Sequence, residues 1–301
     1  MTFQVRVDDS PVYELILSFA LYKRPSNIKY LDVGSKWIDH VNNQISPSLR
    51  KKLEEKDDIA FIDVACILLE QCPNRDSIEA FLEWLKKPSS GELYELLCPL
   101  LVECDTKYLL NIENSRTEFL ELIHEWNEQY FKHFPHRLLS ERVNSANRLK
   151  ADLNDSDASV AVVIEKYATG LRIEREDINE VILLPAYHFR PLHTFSFFKD
   201  KLFIWYPIRN TGMEEDELLK ILKGMADSKR LQILKFLSKE KATFTDVQKE
   251  IGGAKGNAHH HLMILRSAGL IRVHLTNEQT YFSTRLCFPD TVKEQLLSFL
   301  K

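Results

Sequence analysis

The sequence lacks long hydrophobic runs and an N-terminal export signal. Its 301 residues contain no uncharged apolar run of about 18 residues, the length that indicates a membrane-spanning helix. The opening MTFQVRVDDS has neither a basic start nor an apolar core, so it does not resemble a signal peptide. We expect a cytoplasmic protein with no membrane partner.

Motifs that identify common enzymes are also missing. We find no GxxxxGK[ST], GxGxxG, GxSxG or HExxH pattern, and these are the signatures of phosphate-binding, dinucleotide-binding, serine-hydrolase and zinc-protease sites. No internal repeat with a period of roughly 20 to 50 residues occurs. We therefore expect no cofactor.

Cysteine is sparse and shows no CxxC pair. The five cysteines are Cys66, Cys72, Cys98, Cys104 and Cys287. An odd number without a metal-binding spacing predicts buried, reduced thiols. A redox sensor or thiol-metal sensor would need several of them to meet in space, and that alternative stays open.

The first two thirds of the chain predict a helical region followed by a small sheet. Apolar residues at spacings of three and four predict helices over residues 10–153, and FQVRV before them predicts a strand. After the polar loop NDSDAS, the runs VAVVI (160–164), VILLP, HTFSFF and KLFIWYP predict strands, with Lys199-Asp200 as a hairpin turn. We predict a small antiparallel sheet and an α+β, mostly helical fold.

A polar, glycine-terminated stretch at residues 209–212 indicates a boundary between domains 1–212 and 213–301. Beyond it, EEDELLKILKGM, ADSKRLQILKFLSKE, TFTDVQKEIGG and KGNAHHHLMILRSAG have helical patterns, and IRVHL and TYFST are two short strands around a polar tip. Helix, helix, turn, helix and β-hairpin in this order predict a winged helix-turn-helix.

Charge differs between the two parts. Residues 1–213 carry 26 Lys and Arg against 33 Asp and Glu, whereas residues 218–301 carry 14 against 7, a net charge of +7. A basic module on an acidic body favours contact with a polyanion.

The C-terminal strings KGMADSKRLQILKFL, TFTDVQKEIG, KGNAHHHLMILRSAGLIRV and TYFST resemble the ArsR family of bacterial transcription regulators. The resemblance covers residues 214–301 and implies double-stranded DNA as partner and a symmetric homodimer. Metal sensors of this family place ligands in two segments. These correspond here to TFTDVQKEIG, which has no cysteine, and PDTVKEQLLSFLK, which has no histidine and one isolated aspartate, Asp290. We expect no metal site.

The three consecutive histidines lie in the predicted recognition helix. Adjacent helical residues point about 100° apart, so His259, His260 and His261 cannot converge on one ion. We predict a base-reading face at the start of this helix, phosphate contacts from basic residues around it, and contacts from the hairpin tip. The candidates are Lys255, Asn257, His259 and His260 for the face, Lys229, Arg230, Arg266 and Arg272 for phosphates, and Asn277 and Gln279 at the tip.

Each candidate also has a structural interpretation. His260 and His261 can be packed core-edge histidines, Arg230 can pair with an acid inside the domain, and Asn277 and Gln279 can be turn residues. A dense aromatic set before the boundary either lines a cavity for a small-molecule effector or forms the core of the sheet. Its members are Tyr187, His188, Phe189, His193, Trp205 and Tyr206.

These patterns favour a DNA-binding transcriptional regulator, and a repressor controlled by a ligand or partner through residues 1–212 is the preferred interpretation. The alternative is an enzyme or interaction module that carries an appended winged helix. The His and Glu residues of EFLELIHEWNEQYFKHFPH are the only concentration of catalytic residue types. An amphipathic helix with solvated charges explains that segment equally well.

Overall fold

The computed structural model describes residues 3–56, 59–101, 109–155, 159–209 and 214–300. The helices of the first part confirm the predicted helical region. In chain order they are α1 Pro11–Lys23, the 3₁₀ helix Pro25–Tyr30, α2 Lys36–Gln44, α3 Pro47–Glu54, α4 Phe61–Leu69, α5 Ile78–Leu85, α6 Ser90–Leu97, α7 Ile112–Gln129, the 3₁₀ helix Phe131–His133, α8 His136–Asn154 and α9 Val160–Tyr167. The strands of this part are β1 Gln4–Val7, β2 Leu171–Glu174, β3 Glu180–Ala186, β4 Thr194–Phe198 and β5 Lys201–Pro207.

The second part has the predicted winged helix-turn-helix. Its elements are α10 Glu214–Met225, α11 Ser228–Leu237, β6 Ala242–Thr243, α12 Phe244–Ile251, α13 Lys255–Ser267, β7 Ile271–Thr276, β8 Thr280–Thr284 and α14 Phe288–Phe299. None of the described helices is long and apolar enough to cross a membrane.

The first sheet is mixed, so the prediction of an antiparallel sheet needs correction. Its strand order is β1-β3-β5-β4, with β1, β3 and β5 parallel and only β4 antiparallel to β5. The hairpin at Lys199-Asp200 is present, and Lys199 adopts a φ of 47° there. The parallel pairs arise because long connections, including the whole helical region between β1 and β3, return each strand in the same direction.

Both faces of this sheet are buried. Ile182 and Phe203 face the core that contains α1, α4 and α7, whereas Val181 and Ile204 face a second core with Ile164 of α9. Burial on both sides explains why VILLP and KLFIWYP are almost continuously apolar.

The strand predicted at residues 160–164 is wrong, because this segment is the first part of helix α9. Ser159 caps the helix by accepting a hydrogen bond from the Val162 backbone N–H. Val163, Ile164 and Ala168 are buried while Val162 is exposed. That spacing suits a helix packed on α8 and β2, and tertiary packing outweighs the strand preference of valine.

Strand β2, which the sequence analysis missed, joins the two parts of the chain. It pairs in parallel with β7, with Leu171 opposite Val273 and Glu174 opposite Thr276, in a second sheet of order β2-β7-β8-β6. Of the predicted boundary at residues 209–212, only Arg209 is among the described residues. A strand from before that boundary therefore belongs to the sheet of the wing.

The cysteines do not share one environment. Cys66 and Cys72 are buried, as predicted, but Cys98 and Cys287 are exposed. Cys104 lies outside the described residues. Burial raises the pKa of the Cys66 thiol, so it stays protonated and unreactive at neutral pH.

A buried charge cluster connects α1, α8 and the end of β3. The Glu14 carboxylate lies 3.0 Å from Arg142 Nε and 2.5 Å from His188 Nδ1, and it accepts hydrogen bonds from the Tyr187 and His188 backbone N–H groups. Burial raises the pKa of Glu14, but the His188 hydrogen bond and the Arg142 charge outweigh it, so the pKa is lowered.

We predict that Glu14→Gln lowers the free energy of unfolding by about 3–5 kcal/mol, because it leaves the Arg142 guanidinium buried without its counter-charge. The contribution of Glu14 is present above its ordinary pKa and is lost as pH falls through the lowered folded value. Urea denaturation at pH 7 tests this, with the exposed Glu83→Gln as matched control. Equal midpoints for the two variants would contradict the assigned role.

Candidate nucleic-acid interface

The helix-turn-helix is fixed by local capping signals. Asp227 accepts a hydrogen bond from the Arg230 backbone N–H at 3.0 Å and starts α11. Thr243 and Asp246 form a capping box at the start of α12, and Gly252 ends that helix with a φ of 68°, a conformation that glycine adopts without steric cost. The buried face of α13 packs on the hydrophobic core that α11 and α12 also form, through Ala258, Leu262 and Leu265.

The first turns of α13 leave the candidate reading residues accessible. Lys255, Asn257 and His259 are exposed, whereas Ala258 between them is buried. Ala254, which precedes the helix, provides no side-chain cap, so backbone N–H groups at this end remain available to an anion. The arrangement presents a cation, an amide and an imidazole at the end of the helix that a major groove would admit.

The three histidines have different surroundings. His259 is exposed, His260 is half-buried, and His261 is buried with its Nδ1 atom 3.8 Å from Asp227 Oδ1. The side chain of His259 therefore points to solvent, that of His260 to the first part of the chain, and that of His261 to the N-terminus of α11. Among the residues that the structure describes, no three His, Cys, Asp or Glu side chains are grouped to hold a metal ion.

The residue that contacts His260 is Tyr30, 230 positions earlier in the chain. Its hydroxyl lies 3.0 Å from His260 Nδ1, and the two ring centroids are 5.7 Å apart. The His259 ring is 6.3 Å from the same tyrosine. The 3₁₀ helix Pro25–Tyr30 thus packs against one side of α13, the predicted reading helix. No local sequence signal indicates this contact.

The candidate phosphate-binding residues have partners within the chain. Arg230 Nε donates to the Gly224 carbonyl at 2.6 Å and so caps α10. Its Nη1 atom lies 3.9 Å from Asp227 Oδ2, which is the pairing with an acid that the structural interpretation expected. Lys229 is exposed and donates to the Ile251 carbonyl at 2.9 Å, at the end of α12 close to α13. Of this pair, the structure brings Lys229 near the reading face.

Arg272 and Arg266 are directed toward the first part of the chain. Arg272 Nε lies 2.7 Å from Glu165 Oε1 of α9. Arg266 is half-buried, with Nη2 3.4 Å from the His193 carbonyl. The structure thus directs both arginines away from the reading face. Each predicted phosphate contact would require a local rearrangement.

The wing tip is accessible. Asn277 and Gln279 are exposed. Asn277 Oδ1 accepts a hydrogen bond from the Glu176 backbone N–H at 3.0 Å, and Gln279 Nε2 lies 3.0 Å from the Tyr281 hydroxyl. Gln279 therefore belongs to the turn, as the structural interpretation expected, whereas Asn277 contacts the segment after β2. The exposure of both residues leaves the DNA-contact prediction open.

The aromatic set proposed as a ligand pocket lies in the core of the first part. His188 is fully buried between Glu14 and Tyr130, and its Nε2 atom lies 2.8 Å from the Tyr130 hydroxyl. Trp205 and Tyr206 belong to cores on opposite faces of the sheet. Tyr187 and Phe189 pack at the edge of the first of these cores, so the set corresponds to the sheet-core alternative.

The remaining member, His193, is buried beside Arg266. Burial and the Arg266 charge lower the pKa of His193 to about 3, so its imidazole is neutral at physiological pH. Two glutamates of the α7 segment, Glu121 and Glu125, share an ion pair with Lys52 at the protein surface. Lys52 Nζ lies 2.6 Å from Glu121 and 2.7 Å from Glu125.

Residues 227–273 match the family model described as bacterial regulatory protein, arsR family. This confirms the resemblance for the segment from the start of α11 to β7 and supports a DNA-binding regulator. A search of curated proteins found no match.

Three solved structures are similar to part of the chain. A possible transcriptional regulatory protein (fragment 1–100) from Mycobacterium bovis is 21% identical, covers 30% of this chain and 96% of its own, and gives a TM-score of 0.25. NolR from Sinorhizobium fredii is 26% identical, and the match covers 30% of this chain and 91% of NolR, with a TM-score of 0.24. The homodimeric winged helix-turn-helix DNA-binding domain from Mycobacterium bovis, solved by NMR, is 20% identical. The match covers 30% of this chain and 85% of that domain, with a TM-score of 0.24.

The Tyr30 contact makes a prediction for the titration of His260. Burial, followed by the charge of Lys29, lowers the pKa of His260 from its ordinary value of 6.5. Because the docked imidazole has the lower pKa, the contact is fully stable above pH 6.5 and weakens as pH falls. We expect Tyr30→Ala to move the His260 titration midpoint upward, toward 6.5.

Proton NMR of the histidine ring in the full chain measures this midpoint. Tyr94→Ala, which removes an exposed tyrosine of α6, is the matched control and should leave the titration unchanged. An identical midpoint in wild type and Tyr30→Ala would show that the tyrosine does not cover the imidazole in solution.

Proposed function

We propose that this protein is a transcriptional regulator of the ArsR type that binds double-stranded DNA through the first turns of α13. The observation that supports it most directly is the exposed set Lys255, Asn257 and His259 on a helix whose opposite face is packed in a winged-helix core. Asparagine can pair with adenine in the major groove, lysine contacts phosphate, and histidine can donate to either. Lys229 beside α12 adds a second cation on this side.

We propose a homodimer as the binding species. Helices α10 and α14 pack on each other and leave large apolar side chains on the surface. The exposed members are Leu219, Leu222, Leu296, Leu297, Phe299 and Leu300. Exposed apolar side chains on two neighbouring helices favour association, and a twofold dimer would present two copies of α13 to half-sites about one helical turn apart.

We further propose that the first part of the chain controls DNA binding, and that the regulator is a repressor. The support is the contact of Tyr30 with His260 and His259, which places the first part against the reading helix. A duplex that engages His260 has to displace this tyrosine. Repression is the simpler sign of regulation, because a bound dimer blocks a promoter without any further component.

We predict that Asn257→Ala/His259→Ala lowers the affinity for a duplex selected from a random pool by at least about tenfold, since each lost base contact costs about 1–3 kcal/mol. Fluorescence anisotropy at fixed salt measures the affinity. The matched control is Asn154→Ala/His136→Ala, which removes the same side chains from exposed positions on α8. Wild-type affinity in the α13 double variant would show that the reading face lies elsewhere.

We predict that Leu222→Glu/Leu297→Glu converts a dimer into a monomer, because it buries like charges in the proposed interface. Light scattering should give about twice the chain mass of 35.2 kDa for the wild type and the single mass for the variant. Val143→Glu, at an exposed valine of α8, is the control and should leave the dimer intact. A monomeric wild type at micromolar concentration would exclude the proposed interface.

A further inference from the structure

A cavity of about 190 Å³ lies between the two parts of the chain. Arg190, Pro191 and Arg209 line it from the first part, and α10, α14 and residues 266–270 at the end of α13 line it from the second. Its walls are therefore shared by the reading helix and by the domain that contacts that helix through Tyr30. A water occupies about 30 Å³ of the liquid, so the cavity has the volume of about six waters and suits a small organic molecule.

Two arginines at this cavity lack a counter-charge. Arg190 is 6% exposed, and its guanidinium carbon lies 4.1 Å from the centre of the Tyr187 ring. The Nε atoms of Arg190 and Arg266 are buried and have no hydrogen-bond acceptor among the described residues. Within the described part of the chain, neither guanidinium has a carboxylate within 4.0 Å. Burying an unpaired cation is costly, and burial lowers the pKa of Arg266 to about 10.

The other charges at the cavity leave this excess uncompensated. Lys220 is paired with Asp32 at 2.6 Å, so that pair contributes no net charge. Arg285 donates to the Gly269 carbonyl at 2.6 Å and lies 3.6 Å from Glu165. Asp216, which is exposed, and Glu217, which is half-buried, also line the cavity. The lining still holds five basic side chains against three acidic ones, namely Arg190, Arg209, Lys220, Arg266 and Arg285 against Asp32, Asp216 and Glu217. Ile221, Phe288 and Pro191 supply an apolar wall.

We propose that this cavity binds a small organic anion, with its carboxylate or phosphate group between Arg190 and Arg266 and its apolar portion against Ile221 and Phe288. Guanidinium groups recognise both kinds of oxyanion in the same bidentate geometry. The bound anion would bridge the first part of the chain and the end of α13, so it stabilises the arrangement in which Tyr30 contacts His260. As a regulatory ligand, and only in that respect, the anion rests on the proposed function.

Calorimetry on the full chain with benzoate, phenyl phosphate and the neutral benzamide tests the site without DNA. We expect one or both anions to bind at millimolar concentration or below and benzamide to bind at least tenfold more weakly. Comparison of the two anions distinguishes a carboxylate site from a phosphate site. If neither anion binds with a Kd tighter than about 10 mM, or if benzamide binds as tightly, the proposal is overturned.

Arg190→Gln and Arg266→Gln should each weaken anion binding at least tenfold, whereas Arg137→Gln, at an exposed arginine of α8, should have no effect. Arg266→Met provides a second measurement. It removes the unpaired charge but keeps an apolar side chain, so its thermal midpoint without ligand should equal or exceed that of the wild type and should no longer rise with the anion. Retained anion binding in the Arg190 and Arg266 variants would place the anion elsewhere and overturn the proposal.

The DNA assay separates the two proposals. Anion binding that depends on both arginines, together with a wild-type chain that binds no duplex, would support the site and contradict the proposed function. Duplex binding without anion binding would support the function and contradict the site. If both hold, the binding anion should weaken duplex affinity in the wild type and leave Arg266→Gln unaffected.

Discussion

The pairing of β2 with β7 is the constraint on which the arrangement of the two parts depends. Four residue pairs join these strands, from Leu171 with Val273 to Glu174 with Thr276. Gly170 allows the close approach: its carbonyl accepts from the Val273 N–H at 2.8 Å, and a Cβ atom there would lie 2.5 Å from the Ile271 carbonyl. The wing therefore completes its sheet with a strand from the first part of the chain, and Val273 and Leu275 share a core with Leu171.

A buried carboxylate strengthens the same junction. Glu165 of α9 is 8% exposed and contacts Arg172, Arg272 at 2.7 Å and Arg285 at 3.6 Å. Removing one partner of such a network leaves a buried charge unmatched, so the network resists separation of the two parts. The contact of Tyr30 with α13 and the cavity at the end of α13 both follow from this fixed orientation. The proposed control of α13 by the first part of the chain would therefore act through shifts across a joined interface.

The sequence predicted well what depends on neighbouring residues. Asp227, Thr243 and Gly252 mark helix ends through contacts within four residues, so the order of elements in the winged helix was correct. The divergence of His259, His260 and His261 follows from helix geometry alone. Predictions failed where a distant segment decides, as at residues 160–164, which pack as a helix because α8 and β2 cover one side. For Tyr30 and His260 no local pattern exists, because 230 positions separate them.

The same limit applies to charge. Residues 218–301 carry a net charge of +7, but carboxylates of the first part hold Lys220 at 2.6 Å, Lys241 at 2.7 Å and Arg272 at 2.7 Å. A duplex would gain from these cations only after displacing a carboxylate, whereas Lys255 at the start of α13 is exposed. Each phosphate that a cation neutralises releases about 0.9 counterions from B-DNA. For the proposed DNA binding, we therefore expect a salt dependence set by the cations around α13, which the net charge of the segment overstates.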